Sequence, residues 1–452
     1  MTHSNVLLMS DCMQTSQQDV IIIGGGVSGT ALLYMLSRYT DLKNITLLEK
    51  YSTLASVNSH GRNNSQTLHC GDIETNYSLE KAIQVKASAA MVENYAIQHP
   101  HRDRLLQRYS KMVLGVGAQE CEGLAERFEK FRPHFPTLEL FDGKAISELE
   151  PSVTRGRQEQ ILALGIKNEY SAANFQLLSQ SFAEDAEQVA GKSVSVRLNT
   201  QVKQIESNGN GFEVMTDQGR LSARFVVVSA GGHSLLFAQR MGYGLEYACL
   251  PIAGSFYYTP SILNGKVYTV QNDKLPFAAI HGDPDILVPG KTRFGPTALM
   301  LPMLERYNYR TIPEFMKVFS LDGPVLAVMK DLFMVKDIRD YLFKNMLFEV
   351  PLVRRRLFLK DARKVVPTLQ LEDLEFAKHV GGIRPVMIDK INGKLHMGEA
   401  KIDPGNGIIF NMTPSPGATS CLHNAEKDMH ILSQHLGCQI DDAALIQDLK
   451  AH

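Results

Sequence analysis

Three glycines near the start of the chain have the spacing of a phosphate-binding turn. Gly24, Gly26 and Gly29 follow the apolar run DVIII and open VSGTALLYMLSRY, which has helical periodicity. In such a turn the first glycine permits the tight bend, the second lets a pyrophosphate approach the backbone, and the third lets helix and strand pack closely. Glu49 ends the next apolar run, 20 residues after Gly29, where a carboxylate accepts hydrogen bonds from ribose hydroxyls. These residues predict a Rossmann-type dinucleotide site, without distinguishing NAD from FAD.

Two histidines have the setting of a general base. His281 lies in PFAAIHGDPD, where we expect it to end an apolar strand, with Asp283 two residues later. His69 lies in the polar stretch of about 26 residues that follows Glu49, and loops of that length are usually functional. A neutral imidazole beside a carboxylate can take a proton from a hydroxyl group. Either histidine could equally be structural, and the sequence does not decide between them.

An arginine near the C-terminus stands in a rigid setting. Arg384 follows two glycines and precedes a proline in GGIRP. A guanidinium fork held in one orientation is suited to bidentate binding of a carboxylate. The alternative is an ordinary solvated arginine.

The elements that must position these residues can be read from apolar periodicity and turn residues. Segment Leu79–Gln98 has helical periodicity, with Ser78 as its N-cap. The buried run FVVVSAGG, over residues 225–232, ends in small residues where a ligand could meet the backbone. The remaining predicted elements are strands over 112–116 and 162–166, β-rich regions over 193–217 and 253–301, helices over 311–366, and a helix over 421–435.

Composition excludes several classes of protein. Lys plus Arg total 47 against 48 for Asp plus Glu, a net charge of −1, which argues against a general nucleic-acid binder. No apolar run reaches about 18 residues, so no membrane-spanning helix is expected. The six cysteines form no C-x-x-C pair, so neither a metal site nor a disulfide framework is predicted, and a cytoplasmic, reducing location is expected. Residues 1–18 lack a basic n-region and predict a flexible tail rather than a secretory signal.

Several segments together resemble a known family. The glycine fingerprint, FVVVSAGG and GGIRP resemble the glycine oxidase and D-amino acid oxidase superfamily of FAD proteins. Within it, the chain is similar to malate:quinone oxidoreductases, in particular to their shorter epsilonproteobacterial-type branch. The segments that carry this resemblance are NNSQTLHCGDIETNYSLEKA, MGYGLEYACLPIAGSFYY, GKVYTVQNDKLPFAAIHGDPD, GKTRFGPTAL and FNMTPSPGATSCLHNA.

The resemblance implies a fold of the α/β plus α+β class. A Rossmann-type FAD-binding domain would be built from discontinuous segments, with a mixed-sheet substrate domain covering the flavin. The expected FAD-binding segments are 19–76, 175–250 and 376–452, and the expected substrate-domain segments are 77–174 and 251–375. Covalent attachment of the flavin is not predicted.

The resemblance also implies site residues. Besides the fingerprint glycines and Glu49, the residues expected at FAD are Lys50, Ser65, Val202, Ala230, Gly231, Gly382, Arg384, Gly417, Ala418 and Thr419. His69, His281 with Asp283, and Arg384 are the expected catalytic residues. A dicarboxylate such as malate needs a second cation, for which Lys291 or Arg293 in GKTRFGPTAL is expected.

The implied activity is oxidation of L-malate to oxaloacetate with a membrane quinone as acceptor. Residues 330–366 hold ten basic and five acidic side chains among apolar residues, so they could meet an anionic lipid surface on the inner face of the membrane; a solvated helix face is the alternative. Competing functions are oxidation of another 2-hydroxy acid, such as 2-hydroxyglutarate, or of an amino acid, and a flavoprotein without turnover.

Overall fold

The computed structural model of the protein describes residues 17–271, 279–396 and 398–451. Most of the predicted tail therefore lies outside the described residues. Gln18, the last residue of the predicted tail, is the first residue of the first strand. In chain order, the strands of the described residues are β1 (Gln18–Ile23), β2 (Asn44–Leu48), β3 (Leu106–Val116), β4 (Glu139–Phe141), β5 (Ile161–Ala173), β6 (Ser193–Arg197), β7 (Val202–Ser207), β8 (Phe212–Thr216), β9 (Gly219–Val228), β10 (Tyr247–Ala253), β11 (Tyr257–Pro260), β12 (Lys266–Thr269), β13 (His281–Pro284), β14 (Lys291–Gly295), β15 (Leu299–Met300), β16 (Glu375–Phe376), β17 (Ile383–Asp389), β18 (Lys394–His396), β19 (Ala400–Ile402) and β20 (Ile408–Met412).

Helices alternate with these strands and form one long run before β16. Short 3-10 turns lie at Gly61–Asn63, Tyr309–Thr311 and Leu371–Asp373. The α-helices of the described residues are α1 (Val27–Tyr39), α2 (Leu79–Gln98), α3 (Arg102–Leu105), α4 (Ala118–Phe131), α5 (Gly143–Leu149), α6 (Pro151–Thr154), α7 (Phe175–Glu187), α8 (His233–Arg240), α9 (Ile312–Phe319), α10 (Gly323–Met334), α11 (Lys336–Leu347), α12 (Arg354–Val365), α13 (Cys421–Leu436) and α14 (Asp442–Leu449).

The first sheet has a parallel centre. Strands β6, β2, β1, β9 and β20 lie side by side in that order and pair in parallel. Antiparallel β19 flanks β20, and the β7–β8 hairpin pairs with β9. Apolar runs such as the fully buried Val20, Ile21 and Ile22 of β1 are typical of strands covered on both faces. Helices α1, α7 and α13 pack together, and the largest apolar core of the described residues includes all three.

Two further sheets complete the fold of the described residues. A four-stranded antiparallel sheet has the order β15-β10-β17-β18. A mixed eight-stranded sheet has the order β16-β11-β14-β13-β12-β3-β5-β4, in which only β12 and β3 pair in parallel. The Rossmann-type sheet assembled from separated stretches, together with these sheets, confirms the predicted fold class.

Several predicted elements are present with close boundaries. Helix α2 has the predicted bounds, and the Ser78 side chain accepts the Lys81 N–H at 3.2 Å as its N-cap. The two strand predictions at 112–116 and 162–166 correspond to parts of β3 and β5, which pair with each other. One prediction was wrong: His281 begins a strand rather than ending one. Residues 272–278, which include much of the apolar run before it, lie outside the described residues.

Two of the three sheets follow the predicted domain segments closely, whereas the four-stranded sheet takes strands from both sets of segments, and its strand β10 crosses the boundary at residue 250. Strands of the first sheet fall in segments expected for the FAD-binding domain, apart from Gln18, and strands of the mixed sheet fall in the other segments, apart from Phe376. The domain boundaries themselves stay a prediction. Within 17–271, 279–396 and 398–451, every helix is too short or too polar to cross a lipid bilayer.

Candidate active site

A cavity of about 530 Å³ opens where the parallel strands end. Its lining includes Gly24 after β1, Glu49 after β2, Ser229 after β9 and Thr413 after β20. In open α/β sheets, ligands bind in the crevice outside the carboxyl ends of the strands. Four loops that are widely separated in sequence therefore meet at one site.

Two of the fingerprint glycines, Gly24 and Gly29, are required by a close approach of backbone atoms. Gly24 has φ +112°, and a Cβ there would lie 2.4 Å from the Ser229 carbonyl oxygen. A Cβ at Gly29 would lie 2.0 Å from the Gly24 carbonyl oxygen, so helix and turn can pack only without a side chain. Gly26 is the N-cap of α1 and provides no side-chain cap, which leaves the positive end of the helix dipole facing the cavity.

The polar groups around this turn suit a dinucleotide. Glu49 accepts the N–H groups of Gly25 at 2.7 Å and Tyr51 at 2.9 Å, and burial raises the pKa of its carboxyl group. The hydroxyls of Ser56 and Ser229 are buried and have no hydrogen-bond partner among the described residues, although both residues line the cavity. Buried polar groups are normally paired, so these hydroxyls indicate a polar ligand.

The residues predicted to contact the cofactor gather along this cavity. Gly29 is the exception, since it lies at the helix–turn contact instead. The predicted residues that line the cavity are Gly24, Gly26, Glu49, Lys50, Ser65, Val202, Ala230, Gly231, Gly382, Arg384, Gly417, Ala418 and Thr419. Their binding roles stay predictions.

His69 lines the same cavity and is held from two sides. Its backbone N–H donates to Oγ1 of Thr419 at 3.1 Å, and its Nδ1 lies 2.8 Å from Oε1 of Glu74. Its Nε2 makes no hydrogen bond within the described part of the chain. Burial alone would raise the pKa of Glu74, but the hydrogen bond and charge of His69 and the charge of Lys111 lower it. Glu74 therefore orients the imidazole of His69 through Nδ1, while Nε2 has no hydrogen-bond partner among the described residues.

Sequence reasoning missed Glu74. Glu74 lies in the polar loop five residues after His69. The sequence of a loop has no periodicity from which the direction of a side chain can be predicted. Arg127 of α4 fixes it instead: its Nη2 donates to the Glu74 carbonyl oxygen at 2.7 Å and its Nη1 to that of Tyr77 at 3.2 Å. The position of Glu74, the partner of His69, therefore depends on a helix more than 50 residues away in sequence.

Arg384 also lines the cavity, from strand β17. It lies opposite Ile252 of β10 in the antiparallel register. Burial lowers the pKa of the guanidinium, while electrostatic contributions from Tyr341 and Tyr77 oppose that shift. None of the ion pairs found within the described residues includes Arg384. A partly buried cation without a carboxylate partner is the arrangement expected of an anion-binding group.

His281 lies outside the lining of this cavity. It is 3% exposed, its ring stacks on Tyr268 with centroids 4.4 Å apart, and its Nδ1 lies 2.6 Å from Oδ2 of Asp283. Burial lowers the pKa of His281. Burial would raise the pKa of Asp283, but the nearby charges of His281 and Lys266 lower it to about 2. His281 and Asp283 thus form a buried pair of their own.

This buried pair connects to the cavity wall through Thr67. Lys266 Nζ lies 3.4 Å from Oδ1 of Asp283 and 3.1 Å from Oγ1 of Thr67. The Tyr268 hydroxyl lies 2.9 Å from the same Thr67 oxygen. Because Thr67 lines the cavity two residues before His69, this group supports the loop that carries His69.

The two cations predicted for a second carboxylate lie outside the cavity lining as well. Arg293 is fully buried, donates to the Gly61 carbonyl oxygen at 3.1 Å, lies 3.6 Å from Asp285 and stacks on Phe256 at 4.4 Å. Lys291 is partly exposed and lies 3.5 Å from Glu375. The structure thus brings together His69 and Arg384, and places His281, Asp283, Arg293 and Lys291 elsewhere. The predicted role of His281 and Asp283 as a base, and that of Lys291 or Arg293 as the second cation, stay predictions.

Comparison with known proteins gives the site a context. Residues 19–425 match the family described as FAD dependent oxidoreductase. The chain is 46% identical to a probable malate:quinone oxidoreductase of Campylobacter jejuni, covering 97% of this chain and 100% of that one. It is 47% identical to a malate:quinone oxidoreductase of Helicobacter pylori, covering 95% and 97%. Among solved structures, L-alpha-glycerophosphate oxidase from Mycoplasma pneumoniae with FAD bound has a TM-score of 0.62 at 20% identity, covering 93% of this chain and 95% of that one.

Proposed function

Because this chain belongs to the malate:quinone oxidoreductase family of FAD-dependent oxidoreductases, we propose that it oxidises L-malate to oxaloacetate and passes the electrons to a membrane quinone. The observation that carries this proposal is the Arg384 guanidinium in the wall of the cavity that His69 also lines. A carboxylate substrate supplies the counter-charge that the described residues do not, and its hydroxyl group then needs the base that His69 provides.

FAD fits the residues of the cavity. The start of α1, where Ser59 accepts the Val27 N–H but Gly26 adds no side chain, and the glycine turn would hold the pyrophosphate, and Glu49 would accept from the ribose. The unpaired hydroxyls of Ser56 and Ser229 add hydrogen-bonding groups in the same region. When bound, FAD supplies the acceptor for the hydride from C2 of malate.

His69 is the residue that we assign as the base. Its Nδ1 is engaged by Glu74, so Nε2 is the nitrogen that can take the hydroxyl proton. The ionised Glu74 then stabilises the imidazolium that forms. His281 and Asp283 act in this assignment as supports for the Thr67 segment, because they lie behind the cavity wall.

Arg384 orients the substrate. A guanidinium that binds the carboxylate at C1 of malate places the C2 hydroxyl at a fixed distance from the binding atoms, which favours one reactive pose. The partial burial of Arg384 strengthens this contact because the local dielectric is low. The same arrangement suits other 2-hydroxy acids. Selectivity for the chain length of the acid must therefore come from other residues of the pocket.

An anaerobic absorption spectrum tests the assignment. The purified holoenzyme is recorded before and after L-malate, and again after a soluble quinone is added. We expect a flavin band that bleaches with malate and returns with quinone. A band unchanged by malate but bleached by 2-hydroxyglutarate or an amino acid would contradict the substrate, and a protein that binds no flavin would contradict the function altogether.

We place the membrane contact on helices α10 and α11 and the turn after them. More than half of the large exposed apolar side chains of the described residues lie between Met316 and Val353. Leu326, Lys330 and Phe333 of α10 share one helix face by their spacing, as do Arg339, Phe343 and Met346 of α11. The exposed apolar residues of this region are Met316, Leu321, Leu326, Phe333, Met334, Val335, Phe343, Met346, Val350, Leu352 and Val353.

Charge supports a lipid partner for this face. Lys330, Lys336, Arg339 and Lys344 are exposed among the apolar side chains, although Lys336 and Arg339 lie beside Asp340 and Lys344 lies beside Asp361. Ion pairs near the surface contribute little, so these basic groups can still meet the interface of an anionic bilayer. Helix α12, within the predicted 330–366 segment, uses several of its cations internally: Arg354 stacks on Phe376 at 3.9 Å and Lys364 lies 2.6 Å from Glu120. We therefore propose that α10 and α11, more than α12, meet the inner face of the membrane that holds the quinone.

A further inference from the structure

Residues 66–69 form a short extended segment that ends at His69, and we call them the histidine segment. The Gln66 carbonyl oxygen accepts the Ala173 N–H at 3.1 Å, and the Leu68 N–H donates to the Ser171 carbonyl oxygen at 3.1 Å. An isolated antiparallel bridge lies between these two hydrogen bonds. The histidine segment therefore pairs with the end of β5, and successive side chains of such a paired chain point to opposite sides.

The two sides of the histidine segment have different surroundings. Thr67 and His69 line the cavity, whereas Gln66 and Leu68 are absent from the lining that the described residues form. Gln66 and Leu68 are 1% and 0% exposed. A shift of the pairing by one residue would turn each side chain to the other side. The direction of His69 into the cavity therefore depends on the register of the histidine segment against β5.

The Gln66 side chain is anchored on the side that faces away from the cavity. Its Nε2 donates to the Gly61 carbonyl oxygen and to Oδ1 of Asp285, both at 3.1 Å. Its Oε1 accepts the Ile286 N–H at 3.0 Å. Arg293 holds the same two acceptors, because its Nη1 donates to the Gly61 carbonyl oxygen at 3.1 Å and lies 3.6 Å from Asp285. Both polar atoms of the Gln66 amide are thus engaged by buried partners.

The backbone of Gln66 has an unusual conformation that such an anchor explains. Its φ is +50°, in the left-handed region that residues with a side chain rarely adopt. Such conformations persist where the surrounding contacts determine them, and they cluster at functional sites. The Gln66 N–H also donates to Oδ1 of Asn64 at 2.9 Å. The bend that starts the histidine segment is therefore fixed by both the backbone and the side chain of Gln66.

Building on the proposed role of His69 as the base, we propose that Gln66 is a positioning residue for this reaction. Its anchored side chain holds the histidine segment in the register that directs His69 into the cavity. Without the three amide hydrogen bonds, the bend relaxes and His69 loses its fixed place. A displaced base lowers the rate, because proton transfer requires hydrogen-bond distance. Substrate binding changes little, because Arg384 is held separately on β17.

Replacing Gln66 with methionine tests this role, because methionine is unbranched, similar in length and lacks the amide. In stopped-flow reduction of the holoenzyme by L-malate, we expect the limiting rate of flavin bleaching to fall about tenfold in Gln66→Met. The half-saturating concentration of malate should stay within about twofold of the wild-type value. A wild-type limiting rate, or a loss confined to malate binding, would overturn the proposal.

The matched control is Asn94→Leu, which also removes a buried amide. Asn94 lies on α2, is 5% exposed and donates to the Leu449 carbonyl oxygen at 2.9 Å, away from the cavity lining. We expect a lower melting temperature with a wild-type rate of bleaching. An equal loss of rate in Asn94→Leu would show that any lost buried amide slows the enzyme, which would remove the specific role of Gln66.

A double variant shows whether Gln66 acts through His69. When His69→Gln is already present, Gln66→Met should cause no further loss of rate, because the group that it positions is gone. If Gln66→Met slows bleaching by the same factor with and without His69→Gln, Gln66 acts by another route and the proposal is wrong.

Amide hydrogen exchange provides a readout that does not depend on turnover. Peptides that contain the N–H groups of Leu68 and Ala173 should exchange faster in Gln66→Met than in the wild-type protein. Peptides from β1 should exchange as before. Unchanged exchange at Leu68 and Ala173 would show that the pairing with β5 does not need the Gln66 anchor.

The outcomes separate this inference from the proposed function. If His69→Gln loses bleaching by malate while Gln66→Met bleaches at the wild-type rate, the base stands and the positioning role is wrong. If His69→Gln is bleached at the wild-type rate, the assignment of the base is wrong and Gln66 positions no base. Should Gln66→Met fail to fold, Gln66→Gly takes its place with the same expectations, because glycine adopts a φ of +50° without strain.

Discussion

At the residue scale, the His69–Glu74 pair makes the sharpest prediction. His69→Gln keeps a polar side chain but removes the proton acceptor, so kcat with L-malate should fall by about 10² or more. His281→Gln should retain most of the activity, because that ring is buried against Asp283 outside the cavity lining. Steady-state kinetics on both variants, with bound flavin quantified, checks this. If His281→Gln instead loses its activity while His69→Gln retains it, His281 is the base.

Arg384 gives a second prediction at this scale. Arg384→Lys keeps the charge but loses the fork, so KM for L-malate should rise about tenfold or more while kcat changes less. The comparison is Lys291→Gln, whose lysine is partly exposed and lies beside Glu375, and which should leave KM close to that of the wild-type protein. A rise in KM for Lys291→Gln alone would move the carboxylate site to β14.

The sequence was sufficient for some of these residues and not for others. Gly24, Gly29 and Glu49 could be placed because each position in the turn has its own steric or hydrogen-bonding requirement. Glu74 could not, because contacts between residues distant in sequence, such as Arg127 with the Glu74 carbonyl oxygen, decide where the loop residues lie. The surroundings of His281 could not be predicted for the same reason: its neighbours in sequence do not show that its ring stacks on Tyr268.

At the element scale, α10 and α11 form the part of the molecule that we expect to meet lipid. The double variant Phe333→Ser/Phe343→Ser removes one large apolar group from each exposed face, so binding to vesicles containing anionic lipid should weaken at least about tenfold. Co-sedimentation with such vesicles measures this. Bleaching of the flavin by malate should be unchanged, since neither residue lines the cavity.

The matched control for this surface is Ile446→Ser, because Ile446 is 52% exposed and lies on α14, which packs against α1 and α2. It should bind vesicles as the wild-type protein does. If vesicle binding weakens equally in the control and in the double variant, the loss reflects a general effect on solubility and not a docking surface. Binding that is insensitive to lipid charge would remove the role given to the exposed lysines.

At the scale of the whole molecule, Asp283 links stability to pH. Its pKa is lowered to about 2 in the folded chain, below its unfolded value of about 3.9. The resulting stabilisation is present above pH 4 and is lost as the pH falls through the folded pKa. It amounts to about 2 kcal/mol at pH 7 and about half of that at pH 3. Asp283→Asn should therefore cost stability at pH 7 and progressively less in acid, as urea unfolding between pH 3 and 7 would show.

An exposed acid provides the control for this prediction. Asp340→Asn makes the same chemical change at a surface ion pair with Lys336, and such pairs contribute about 0 to 1 kcal/mol. Its unfolding free energy should follow the wild-type curve throughout. A pH-independent cost of Asp283→Asn would show that the loss comes from packing and not from charge.

The cavity is lined by residues from Ile23 to Thr419, and β20, which pairs with β9 in the parallel centre, begins only at Ile408. The pocket therefore has its last wall only after synthesis has passed Thr419. Cofactor loading then becomes a late event in biogenesis, and free flavin would shift the balance between maturation and degradation by mass action. Cells short of riboflavin should contain less of this protein, without any change in its synthesis.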